Sequence, residues 1–212
     1  MVLLLLACVD GRDPVVLPTT FTGSPASFAL DSGTVTLERA ELVAADLRLE
    51  APPVVAWFPS LVASARAHPG HEFAGSVRGE LLGEWSLDLV GGDQVLGAGQ
   101  GWEGDVATAR FDAHGLILVG TWSGPDGDVP FDIALDVDRS IVGIDALLTL
   151  DASRPDGLAL GVDLPHALGF VEWDDTDGDG TLTEADGTLA NTVVFGITSS
   201  TTWALAPASE TP

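Results

Sequence analysis

Lysine is absent from this chain, and all eight of its basic residues are arginine. Against them stand 32 acidic residues, for a formal net charge of −24 at neutral pH. A surface so poor in positive charge repels nucleic-acid phosphates and anionic lipid headgroups, and attracts divalent cations and basic partners. No nucleic-acid partner is expected. Cysteine occurs once, as Cys8, so no intrachain disulfide is possible. No segment approaches the roughly 18 apolar residues of a membrane-spanning helix.

Catalytic signatures are equally scarce. There is no Gly-x-Ser-x-Gly elbow. The glycines at Gly91, Gly92 and 97–101 lack the helix and lysine of a phosphate-binding loop. Carboxylate pairs such as Glu80/Glu84 and Asp126/Asp128 arise by chance in so acidic a chain. The expectation is a protein that is not an enzyme.

What is present is a chain of 212 residues that is 46% hydrophobic, long enough to bury a sizeable core. The hydrophobic pattern has a period of two over most of its length. Residues 9–25, rich in Pro, Asp, Gly and Thr, read as a tether. Residues 33–50 alternate, but Val35 and Leu37, Leu42 and Ala44, and Leu47 and Leu49 fall in slipped phases, which indicates a bulge or bend. Residues 116–122 and 129–137, joined by Ser-Gly-Pro-Asp-Gly-Asp, form the clearest hairpin. Phe131, Ile133 and Val137 should face inward, and Asp132, Asp136 and Asp138 outward.

The whole reads as mainly β, an antiparallel β-sandwich or barrel-like domain over residues 26–162. A small C-terminal helix–loop–helix insert follows at 163–199, then a last strand and tail at 200–212. Asp163 and Pro165 suit the start of the first helix. The second is expected over about 183–195.

Between those helices lies Asp-Thr-Asp-Gly-Asp-Gly-Thr-Leu-Thr-Glu-Ala-Asp, residues 175–186. Oxygen ligands fall at positions 1, 3, 5, 9 and 12, glycine at 6 and an apolar residue at 8. This resembles the EF-hand calcium loop. The resemblance implies calcium ligands from the side chains of Asp175, Asp177, Asp179, Thr183 and Asp186 and from the backbone carbonyl of Thr181. Asp186 stands where the family usually has a glutamate. No second loop is found to pair with it: residues 136–140 begin suitably, but Ile141 occupies the glycine position. Leu182, at position 8, is therefore expected to pack on its own domain, with a second molecule as the alternative. The calcium is expected to be structural.

Three further features carry expectations. Residues 1–8 end in Leu-Leu-Ala-Cys and resemble the remnant of a bacterial lipoprotein signal. That implies export, lipid attachment at Cys8 and a place in the cell envelope, with the membrane reached only through the lipid. His68 and His71 flank a Pro-Gly turn and form half of a copper or zinc site, with Glu72, His114 or His166 as a third ligand. Trp102, set among glycines, is the exposed indole of the six tryptophans, and it raises the alternative of an adhesion or carbohydrate-binding module. Trp57, Trp85, Trp122 and Trp203 belong to the core on this reading.

Overall fold

The structure is a computed structural model and describes residues 13–53, 77–153 and 157–210. The strands are β1 (Pro14–Thr22), β2 (Ser27–Leu30), β3 (Gly33–Glu50), β4 (Val77–Asp88), β5 (Gln94–Trp102), β6 (Gly104–Gly124), β7 (Gly127–Leu150), β8 (Leu158–Val162) and β9 (Trp203–Pro207). Two short helices, α1 (Leu164–Leu168) and α2 (Leu189–Thr198), lie between β8 and β9. One sheet runs in the order β7-β6-β3-β4-β5-β1-β8-β9, with β2 added against β3. It curls into a nearly closed barrel. Every pairing of these strands is antiparallel except β1 with β8, which is parallel from Thr19↔Leu158 to Thr22↔Gly161.

The interior follows from the alternation. Leu42 on β3, Leu87 on β4, Leu118 on β6 and Ile133 on β7 are fully buried. Each such side chain contributes about 1.5–3 kcal/mol by leaving water. The hairpin of β6 and β7 turns between Gly124 and Gly127, with Leu118 opposite Ile133 and Gly120 opposite Phe131. Asp132, Asp136 and Asp138 face solvent, as the pattern required.

The phase slips of β3 are real bulges. Its register shifts between Leu37 and Arg39, between Val43 and Ala44, and between Ala45 and Leu47. The last places Asp46 at φ 53°, in the left-handed region, where its carboxylate accepts the Gly83 amide at 3.2 Å. On β6 the shift skips His114, and on β7 it skips Val137 and Asp138, the latter at φ 36°. The irregularities at Val43/Ala44, His114 and Val137–Asp138 line up across β3, β6 and β7 and bend the sheet along one row. The same row hides continuity in the sequence, because β6 and β7 each look like two shorter strands there.

One expectation is corrected. The tether at 9–25 is, from Pro14 to Thr22, a central strand with Val15, Leu17, Thr19 and Phe21 buried. Its prolines and threonines mask an alternation that is complete on the inner face. The glycine-rich stretch at 97–101 is the body of β5. A Cβ on Gly99 would come within 2.6 Å of the Glu80 carbonyl oxygen, and one on Gly101 within 2.9 Å of the Arg78 carbonyl oxygen. These glycines therefore let the backbone of β4 approach closely, with Leu17 Cδ1 the next contact of Gly101 at 3.1 Å.

Candidate metal centre

The segment leading into the acidic loop is fixed from both ends. Asp163 caps α1 by accepting the His166 amide at 3.0 Å, and the Leu164 amide reaches the buried Ser24 hydroxyl at 3.3 Å. Residues 169–174 then run without helix. Within them Val171 and Trp173 are buried, and Trp173 stacks on Trp122 with centroids 5.4 Å apart and lies 5.1 Å from Phe131. Stacked aromatic pairs contribute about 0.5–1.5 kcal/mol beyond their burial.

Within the loop, Leu182 at position 8 is fully buried and forms a bridge to β7. Its amide donates to Pro130 O at 2.9 Å, and its carbonyl accepts from the Asp132 amide at 3.0 Å. Leu182 thus packs on its own domain, against β7.

Between these anchors the carboxylates wind the backbone. Asp175 accepts the Gly178 and Gly180 amides, one on each oxygen, both at 2.7 Å. Asp177 accepts the Asp179 amide at 3.1 Å, and Asp179 accepts the Thr181 amide at 2.8 Å. Gly178 and Gly180 have φ of 74° and 88°, which a side chain would resist. The result brings ligand oxygens of Asp175, Asp177 and Asp186 all within 4.8 Å of one another. Metal–oxygen bonds of about 2.0–2.6 Å allow ligands across one ion to be about 4–5 Å apart, so the three carboxylates could hold a single metal ion. Asp179 lies outside this trio. The Thr183 hydroxyl accepts the Ala185 amide at 3.3 Å, which occupies part of its capacity as a ligand.

Asp186 is the best-held member. Only 1% exposed, it accepts the Thr176 amide at 2.9 Å and the Thr176 hydroxyl at 3.0 Å on one oxygen. On the other it accepts the Thr183 amide at 2.8 Å. One carboxylate therefore ties position 2 of the loop to position 9, as a capping-box acid ties back to its own turn. This explains why α2 starts at Leu189 and not at Thr183. Residues 183–186 are spent on the turn, and Gly187 follows at φ 44°. The two helices flank the loop, but neither abuts it.

The charges respond accordingly. Amide donation by Thr183, and then by Thr176, holds the Asp186 carboxyl below the usual range despite its burial. At Asp177 the Asp179 amide favours the ionised form. Lost hydration, the Asp179 and Asp186 charges and a hydrogen bond with Asp175 outweigh it and raise the pKa. No ion pair among the described residues reaches the loop.

A depressed carboxyl stabilises the fold above its unfolded pKa, and that contribution is lost as pH falls through the lower folded value. In the presence of chelator, Asp186→Asn is expected to lower the urea midpoint near neutral pH and to flatten its decline below about pH 4. Superimposable declines in the two proteins would show that another group carries the acid sensitivity.

The other expected residues fare differently. Cys8, His68, His71, Glu72 and Trp57 lie outside the described residues. Among the described residues, Asp175, Asp177 and Asp186 form the one close group of metal-binding side chains, and neither His114 nor His166 belongs to it. His114 Nδ1 lies 3.5 Å from Asp138, and His166 Nε2 lies 3.0 Å from the Thr201 hydroxyl. Trp122 and Trp203 are core, Trp85 is half-buried, and Trp102 is 38% exposed. Glu80 and Glu84 sit on β4, and Asp126 and Asp128 at the hairpin turn.

Sequence reasoning missed that Trp173 anchors the entry to the loop by stacking on Trp122. The signal available was its apolar character at the border of an otherwise acidic stretch. Comparison with protein-family models, with curated proteins and with solved structures finds no match for this chain.

Proposed function

We propose that residues 175–186 bind a calcium ion that staples the C-terminal segment to the barrel, in a protein without catalytic activity. One observation carries this reading: the Asp175, Asp177 and Asp186 oxygens lie within 4.8 Å of one another, in a loop seated on β7 by Leu182. Crowded carboxylates with no ion pair to an arginine among the described residues repel one another, and a hard divalent cation converts that repulsion into attraction. The remaining ligands on this proposal come from Asp179, the Thr181 carbonyl, the Thr183 hydroxyl and water.

The proposed setting is the cell envelope, with a lipid on Cys8, and it rests on the Leu-Leu-Ala-Cys sequence alone. The extreme acidity is compatible with an ion-rich exterior.

Calorimetric titration with calcium tests the ion. Saturable binding at one site, abolished by Asp175→Ala with Asp177→Ala, is the expected result. Binding should also weaken as pH falls, because a raised Asp177 pKa makes protons compete early. Heats that survive the double substitution unchanged would remove the site from this loop. Mass spectrometry of the membrane-extracted protein tests the lipid, which should add a diacylglyceryl mass to Cys8.

A further inference from the structure

The cation reading leaves one surface unexplained, the outer face of β1 and β5. Pro14 pairs with Trp102, Val16 with Gln100, and Pro18 with Ala98, and after a bulge Thr20 pairs with Val95. The first, third and fifth residues of β1 point outward, as do their partners on β5. Val16 is 59% exposed and Val95 is 79% exposed. No charged side chain occupies these outward positions, in a chain of net charge −24. The contrast with β7 is sharp, since its outward row carries Asp132, Asp136 and Asp138.

Carboxylates nevertheless rim the face. Asp13 precedes Pro14 at one end, Asp93 lies just beyond Val95 at the other, and Glu80 borders it on β4 opposite Gln100, with Arg78 the one cation in that row. β1 is paired with β5 on one side and with β8 from Thr19 to Thr22 on the other, and beside the rest of it Pro14 and Pro18 have no amide hydrogen to offer an added strand, so an occupant would lie on the face.

We infer that this face docks a basic amphipathic segment of another polypeptide. Apolar side chains of that segment cover Val16, Val95 and Ala98, and its lysines or arginines meet Asp13, Asp93 and Glu80. An apolar centre with an acidic rim selects for a partner with the complementary pattern, and against acidic chains. The inference does not depend on the bound cation, and the measurements are made with chelator present.

The probe is a helix-forming peptide of leucine and lysine with one apolar face, titrated calorimetrically into the full chain beside its leucine–glutamate counterpart. The lysine peptide should bind, less tightly as salt rises, and the glutamate peptide should not. Val16→Glu with Val95→Glu should weaken binding by about tenfold or more, although it makes the protein more negative. Val16→Thr with Val95→Thr keeps β-forming residues on an exposed face, so it should fold normally and show a smaller loss.

Equal or tighter binding by the double glutamate variant would overturn the inference and leave attraction by net charge alone. So would absence of lysine-peptide binding. A dimer in sedimentation that the glutamate variant loses would assign the face to a second copy instead. Binding of neutral oligosaccharides, lost in that variant, would assign it to glycans.

Discussion

Leu182→Ala is expected to lower the free energy of unfolding by about 2–5 kcal/mol, the range for truncating a buried leucine whose cavity does not collapse. For a chain of this size that corresponds to a melting temperature lower by roughly 5–15 °C. The effect should be this large because Leu182 does two things at once. Its side chain is fully buried, and its amide and carbonyl bond Pro130 and Asp132 of β7. Alanine preserves the backbone bridge but empties the socket, so the loop loses its apolar anchor. Glu184→Ala, two residues away and exposed, should change stability by less than about 0.5 kcal/mol. Chemical denaturation of the two variants decides the matter. A cost for Leu182→Ala no greater than for Glu184→Ala would mean that the loop is not held through this residue.

Calcium is expected to raise the stability of the wild-type chain by about 2.7 kcal/mol at a hundredfold excess over the dissociation constant. The matching rise in melting temperature is roughly 5–11 °C, and excess chelator should reverse it. The gain comes by mass action, since the folded loop gathers Asp175, Asp177 and Asp186 and the unfolded chain does not. Asp175→Ala with Asp177→Ala should abolish the calcium dependence. In chelator, the same variant should melt close to wild type or somewhat lower. Removing like charges favours it, while losing the Asp175 acceptor leaves the Gly178 and Gly180 amides without their side-chain partner. Magnesium should stabilise less at equal concentration, because it demands shorter bonds and near-octahedral order. A melting curve indifferent to calcium would sink the reading.

Much of the barrel was legible because burial on one side of a strand imposes a period of two. Phe131, Ile133 and Val137 cannot exchange places with Asp132, Asp136 and Asp138 without burying carboxylates, so the register of β7 was readable in advance. The phase slips of β3 were also readable, since a bulge moves the apolar positions by one. β1 was not, because Pro14, Pro18 and its threonines have the composition of a linker while Val15, Leu17 and Phe21 carry the strand. Nor was β5, where glycines at 97, 99 and 101 signal turns locally. What requires glycine at 99 and 101 within a strand is the close approach of the β4 backbone at Glu80 and Arg78, which no local window contains.

The acidic loop divides in the same way. Its spacing and glycines were explicit, and so was the need for Leu182 to find a partner. That the partner would be the bridge to β7, and that Asp186 would clasp Thr176 and Thr183, depended on contacts made only in three dimensions.

The parallel pairing of β1 with β8 has a kinetic consequence. β5 can receive β1 early, but the other flank of Thr19–Thr22 is satisfied only by residues 158–161, near the opposite end of the sequence. Closing so long a loop costs entropy before any bond repays it. During synthesis, then, a half-built sheet must persist with one side of β1 open until β8 and β9 have emerged. The acidic outward rows that discourage sheet-to-sheet association would protect the chain most during that interval.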